Sequence, residues 1–231
     1  MLKTLLAHPR SYRQFAVFGS LIFASSLCIF ILALRVAHTH TFTFSFLAWN
    51  LFLAWLPLIA AFIAYKLHGK FLGPFRVVLL ACMGVWLVFL PNAPYLITDL
   101  VHLVPRSDIS FWFDLTMLVA FAVTGLLCGL VSIYLMQQVV LKIAGGVASW
   151  LFVLSVSALS SFGIYLGRFQ HWNSWDVLHH PVSLLTAIAD IFRHPIAHSQ
   201  IFAFSGLFTL FLIASYVMLS ALTGLPQENS E

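Results

Sequence analysis

The sequence predicts an all-α fold: a polytopic transmembrane helix bundle of about six spans, with an extracytoplasmic loop that carries an amphipathic helix. Two observations carry that prediction. The chain is 61% hydrophobic and 8% charged, with mean hydropathy +1.00, against about 25% charged residues in ordinary soluble domains. Its apolar residues also fall into runs near the length of about 20 residues that a helix needs to cross a bilayer. Six runs can be drawn, at about 15–36, 45–65, 75–96, 111–136, 143–166 and 201–222, within a single integral membrane domain covering 1–231.

The first run follows Lys3, Arg10 and Arg13, as a signal peptide would. It is longer than an h-region and lacks a small-residue cleavage site, so it reads as a retained anchor. The third run is the least regular. Pro91 and Pro94 should end or kink it, because proline removes a backbone donor and disfavours helix in the residue before it. In lipid such a break is tolerable only where protein or water satisfies the freed groups. In the fourth run Gly125 and Gly129 form a GxxxG pair flanked by Thr124, Cys128 and Ser132, and Ser160, Gly163 and Gly167 make a similar seam in the fifth. Small residues of this kind let helices approach closely. Phe202, Phe204, Phe208 and Phe211 give the sixth run a packed or lipid-facing character. No internal repeat relates the two halves, which counts against a repeat-built transporter.

Orientation follows from the basic residues. With the N-terminus inside, Lys3, Arg10, Arg13, Lys66, Lys70, Arg76 and Lys142 fall on the cytoplasmic side, and Arg35, Arg106, Arg168 and Arg193 on the other. That seven-to-four split predicts that both termini are cytoplasmic. The net charge of +4 is then a topology signal. No basic cluster interleaved with aromatics calls for nucleic acid. All five aspartates (Asp99, Asp108, Asp114, Asp176 and Asp190) fall outside, as do all histidines except His8 and His68. Cys28, Cys82 and Cys128 lie within the runs and read as packing residues, with no disulfide framework implied.

Two segments concentrate the polar chemistry. In residues 91–106, Tyr95, Asp99, His102 and Arg106 are offset by 4, 7 and 11 positions, which is one face of a helix. Ionisable groups at a membrane edge are costly and tend to mark sites; the competing reading is an interfacial helix with its polar face in water. Asp99, three residues before His102, has the spacing to orient its imidazole for general base or metal chemistry. The second segment is the long connection 167–200, which sets Arg168, His171, Asn173 and Asp176 among Trp172 and Trp175. The tryptophans suit the headgroup layer. Ser174 has the position to cap a short helix with Asp176 in its first turn, and that capping role stands beside a catalytic one for Asp176. Asp114 has the same first-turn alternative. Pro181 can start a further helix, with Leu184, Leu185, Ile188, Ile191 and Phe192 on one face, lying in the interface or as a lid. His194 and His198 have i,i+4 spacing, but Pro195 lies between them and there is no HExxH, so no metal site is assigned. The sequence assigns no cofactor, and no Gly-rich phosphate loop or GxSxG elbow is present.

Several stretches resemble a known family. Trp49-Asn50 with Trp55, Phe89-Leu-Pro-Asn-Ala-Pro-Tyr95 with Thr98-Asp99-Leu100 and His102-Leu103, Trp112-Phe113-Asp114, and Gly163-Ile-Tyr-Leu-Gly-Arg-Phe169 with Trp172-Asn-Ser-Trp-Asp176 are similar to the bacterial multi-pass family catalogued as Domain of Unknown Function 1361. The resemblance runs from about the second span to the sixth. It implies a bacterial cytoplasmic-membrane protein and supplies no activity.

With both segments outside, the bent third span turns Tyr95, Asp99 and His102 to the bundle mouth, and Arg168 and Asp176 converge on them from the end of the fifth. Asp99 and His102 are then the candidate catalytic acid/base pair. Asn92, Tyr95, Arg168, Trp172, Asn173, Trp175 and Asp176 are the candidate substrate-binding residues. Arg168 has the chemistry to pair with an aspartate or to hold an anionic lipid headgroup. The expected partner is the lipid bilayer, with a lipid or lipid-linked substrate at the outer leaflet. Two other classes compete: a non-catalytic membrane partner whose polar cluster locks the fold, and a small-solute transporter. Sequence leaves the oligomeric state open.

Overall fold

The computed structural model describes residues 10–67, 75–105 and 109–223, and every regular element among them is helical. Arg106 and Asp108 lie outside the described residues, as do Lys3, Lys70 and the two glutamates. In order come α1 (Arg10–Thr39), α2 (Phe46–Leu67), α3 (Phe75–Phe89), the short α4 (Asn92–Tyr95), a 3₁₀ turn (Thr98–His102), α5 (Phe111–Phe169), α6 (Asp176–His179), α7 (Pro181–Arg193) and α8 (Ser199–Thr223). Five stretches among the described residues are long and apolar enough to cross a membrane: Gln14–Thr39, Phe46–Leu67, Val77–His102, Phe111–Phe169 and Ser199–Leu222.

The fourth of these is a hairpin. At 1.5 Å per residue a straight helix of 59 residues would run about 89 Å, three times the hydrocarbon thickness. Gly145, with φ 83° and ψ 179°, breaks it, in a conformation that glycine alone adopts freely. The packing confirms the reversal. Gly129 lies against Ala93 and Pro94, and Gly163 against Pro91, although in a straight helix those glycines would stand about 51 Å apart. Two limbs, 111–144 and 146–169, therefore lie side by side. The turn comes later than the sequence suggested: the helix runs through 137–142 without interruption. Gln137, which reads as the end of an apolar run, is tolerated inside because the Tyr216 hydroxyl donates to its Oε1.

The two limbs share one core. Cys128, Ile133 and Met136 from one and Val153 and Val156 from the other pack with Leu58 and Ala61 of α2, Leu79 and Trp86 of α3 and Tyr216 of α8. Trp86 stacks on Phe152 and donates its indole N–H to Ser132 Oγ at 3.2 Å. The phenylalanines of α8 are partly packed and partly exposed, as expected: Phe204 meets Tyr165 and Phe169, while Phe202 and Phe211 face outward.

The small-residue seams serve a purpose more particular than helix-on-helix approach. α3 stops at Phe89 and the segment 90–102 enters the bundle as a broken helix of short α and 3₁₀ turns, with Leu90, Ala93, Pro94 and Leu96 buried. A side chain on Gly125 would collide with Leu96 and the Ala93 carbonyl oxygen, one on Gly129 would press on Ala93 and Pro94 and one on Gly163 on Pro91, and Gly167 lies beside the Tyr95 ring. Four glycines from both limbs thus make room for a broken helix, which satisfies the rule that such backbone be enclosed by protein. The expected regular helix through Tyr95, Asp99 and His102 is not formed. Pro94 denies the ladder a donor, and the chain continues as a 3₁₀ turn.

At the same end of the bundle Arg35, near the end of α1, donates from Nε to Asp114 Oδ1 at 2.7 Å and from Nη2 to Oδ2 at 3.3 Å. Both side chains are buried. Asp114 does stand in the first turn of α5 as the sequence suggested, but its carboxylate also ties α1 to α5.

Candidate functional site

The broken segment forms one wall of a cavity of about 350 Å³. Asn92, Tyr95, Asp99 and His102 come from this wall, Asn50 with Phe46, Trp49 and Leu53 from α2, Arg168 with Leu166 from the end of α5, and Trp172 to Trp175 from the loop beyond. Of the nine residues the sequence singled out, eight line the cavity. Asp176 is not among the lining residues; its carboxylate turns back to accept the Asn173 N–H at 2.7 Å.

Arg168 is the centre of the polar end. Its Nη1 lies 3.3 Å from Asp99 Oδ1 and 3.4 Å from the Tyr95 hydroxyl, and its Nη2 lies 3.1 Å from His102 Nε2. A guanidinium only donates, so His102 Nε2 is the acceptor and its ring proton belongs on Nδ1. The link this geometry provides between Asp99 and His102 runs through Arg168. The other Asp99 oxygen accepts the Asn50 amide at 2.9 Å. Asp99 is 1% exposed and Arg168 18%, so the carboxylate is enclosed while the guanidinium still faces the cavity. Phe46 packs edge-on against the His102 ring, 5.1 Å between centroids.

A backbone turn positions the loop. His171 takes a left-handed φ of 59°, which histidine tolerates better than most residues, and the Trp172 N–H returns to the Leu166 carbonyl at 3.2 Å. The loop is then pinned to the broken helix by Ser174, whose hydroxyl donates to the Val88 carbonyl at 3.1 Å and accepts from Asn92 Nδ2 at 2.8 Å. The expected capping by Ser174 is therefore not found: α6 begins after Trp175 with no side-chain cap. The freed Val88 carbonyl, left by the early end of α3, is the stronger claim on that hydroxyl.

α7 forms over Pro181–Arg193 with the proline in its first turn. Its apolar face divides. Ile191 is buried and Leu184 and Ile188 pack with it against Leu166, Ile201, Phe162 and Trp172, whereas Leu185 and Phe192 are exposed. Leu184 also lines the cavity. His194 and His198 both reach the Asp190 carboxylate, at 3.0 and 3.2 Å. Hydrogen bonds from His198 and His194 hold the exposed Asp190 carboxyl below its usual range.

Sequence reasoning missed Asn50 as a partner of Asp99, and with it Ser174, Phe46 and Trp49 as parts of the wall. Asn50 carried a signal, since it is the only amide in the apolar stretch 46–64, and polar side chains inside spans tend to be functional.

The fold and site define a helical membrane protein with a polar pocket at one end of its bundle. The sequence model of the family described as "Protein of unknown function (DUF1361)" matches residues 49–215, well over half of the chain, and the protein belongs to that family. No curated protein and no solved structure matches it.

Proposed function

We propose that this is a bacterial cytoplasmic-membrane enzyme that acts on a lipid or lipid-linked substrate at the outer leaflet. The chain forms a single integral membrane domain. With the two limbs of α5 counted separately it crosses six times, both termini are cytoplasmic and 167–200 lies outside. The seven-to-four split of basic residues supports that orientation.

One observation carries the functional reading. Arg168 reaches Asp99, His102 and Tyr95 together in a cavity whose remaining wall is mostly apolar, with Asn50, Asn92, Asn173 and Ser174 as its other polar residues. An anionic headgroup placed there takes Arg168 as its ligand, with Asn92, Asn173, Trp172 and Trp175 around it and Asp176 holding the loop. Drawing the guanidinium toward the substrate releases His102 Nε2, which takes the proton of water or of an acceptor alcohol as its oxygen bonds to the ester phosphorus or acyl carbon. The bond from that centre to the leaving oxygen breaks, the leaving oxygen takes the proton back from His102, and Asp99 balances the guanidinium. Transfer and hydrolysis both fit this arrangement.

The structural-lock reading rests on a different observation: both Asp99 oxygens already have partners, Arg168 and Asn50. Native mass spectrometry separates the two. The enzyme reading expects a bound amphiphile on the protein released from its own membranes, lost in Arg168→Gln and kept in His102→Gln. A folded wild-type protein that carries none supports the lock.

A further inference from the structure

The cavity lining is part polar and part apolar, and some of its apolar residues are exposed at the outer surface of the bundle. Trp49 lines the cavity and is 53% exposed. It heads a stripe on α2 that continues through Phe52, Ile59 and Ile63, all exposed, at steps of three, seven and four residues that keep to one helical face. In a membrane helix such a face meets lipid, so Trp49 belongs both to the lipid-facing surface and to the wall of the site. Val177 of α6 is likewise both a lining residue and exposed, and Leu184 of α7 lines the cavity as well. Leu53 and Leu166 add buried apolar surface to the same lining, each only 7% exposed.

We infer that the cavity opens sideways into the bilayer between Trp49 and the Val177–Leu184 rim, and that its apolar wall holds a hydrocarbon chain of an anionic amphiphile whose head rests on Arg168. The inference rests on the proposed headgroup site and adds the route and the chain. Its physical basis is continuity. A ligand without a hydrocarbon chain would leave Trp49, Leu53 and Leu184 uncovered, whereas an amphiphile covers them and, sliding in from the leaflet, keeps its chain out of water along the whole path. Trp49 and Val177 are then specificity residues, because they set the width of the mouth.

The test uses the unsubstituted protein in vesicles of phosphatidylcholine and phosphatidylglycerol whose acyl chains carry a diazirine, near the head end in one set and at mid-chain in another. After illumination, adducts are mapped by mass spectrometry. Phe52 and Ile59 label in any bilayer and serve as the positive reference, and Leu58 and Leu79, buried away from the cavity, as the negative one. The inference expects adducts on Leu53 and Leu166 as well. Adducts on Phe52 and Ile59 with none on Leu53 and Leu166 overturn it. Arg168→Gln then separates the two readings: a fall of fivefold or more in the cavity adducts, with Phe52 labelling unchanged, supports chain and headgroup together. Unchanged cavity adducts in that variant keep the lateral route and overturn the headgroup site. Should Arg168→Gln fail to fold, competition by soluble glycerol phosphate for the cavity adducts of the unsubstituted protein makes the same separation. Displacement supports a head held at Arg168, and no displacement at saturating concentration counts against it.

Discussion

Pro91 occupies the space that a side chain on Gly163 would need: a methyl group there would lie 2.7 Å from the proline Cγ. The ring of a broken helix and a glycine of the second α5 limb are thus fitted to each other, one residue before Asn92 enters the cavity. Gly163→Ala should cost about 1–3 kcal/mol of stability, the usual range for overpacking, because the atom it meets belongs to a rigid ring. Gly206→Ala, with nothing within 4 Å, should be neutral or slightly stabilising. Thermal unfolding in one detergent checks both. Equal effects would mean that the broken segment moves aside freely.

The Arg35–Asp114 pair joins α1 to α5 from within the bundle. Removing one partner of a buried pair leaves the other charge uncompensated, at about 3–5 kcal/mol. Asp114→Asn and Arg35→Met should each lower the melting temperature sharply, and the double variant should lose much less than their sum. Strict additivity in the melting temperatures would show that the two side chains do not depend on each other.

α7 should be held to the bundle by one part of its apolar face. Ile191→Asp places a charge among Leu166, Ile201 and Trp172 and should strongly accelerate protease cleavage within 181–193 in detergent. Leu185→Asp and Ser183→Asp change exposed positions and should leave cleavage close to wild type. Similar cleavage of all three variants would rule out specific docking.

The proposed orientation puts residues 167–200 outside. In a cysteine-free background, cysteine at Ser183 should react with an impermeant thiol reagent in intact cells, and cysteine at Ser230 should react only after lysis. The opposite pattern inverts the topology.

Much of this architecture is legible because lipid imposes so few solutions. Every backbone donor in a span must be satisfied locally, so apolar runs of the right length become helices, and two prolines within one run announce a break. Convergence of Tyr95, His102 and Arg168 follows from the same logic, since charges near the membrane core end seek partners. What the sequence conceals is where partners come from. Asp114 looks complete as a first-turn acid, and nothing local says that Arg35, 79 residues away, will claim it. Ser174 has a plausible cap to make, and only the tertiary fold reveals the Val88 carbonyl that competes for it. The apolar periodicity of α7 gave one broad face; the bundle covers Leu184, Ile188 and Ile191 and leaves Leu185 out. Glycines at 125, 129, 163 and 167 announced close approach without naming the segment that approaches.

In the proposed function Asp99 and Arg168 act as one unit that holds a bound amphiphile beside His102. Its most direct test is a double-mutant cycle of Asp99→Asn and Arg168→Gln, reading amphiphile occupancy by native mass spectrometry and stability by thermal unfolding. Each single variant should lose most of the bound amphiphile. The double variant should recover stability relative to the sum of the two without recovering the ligand, while His102→Gln keeps both fold and ligand. Small, strictly additive losses of stability with unchanged occupancy in all three variants would contradict the claim.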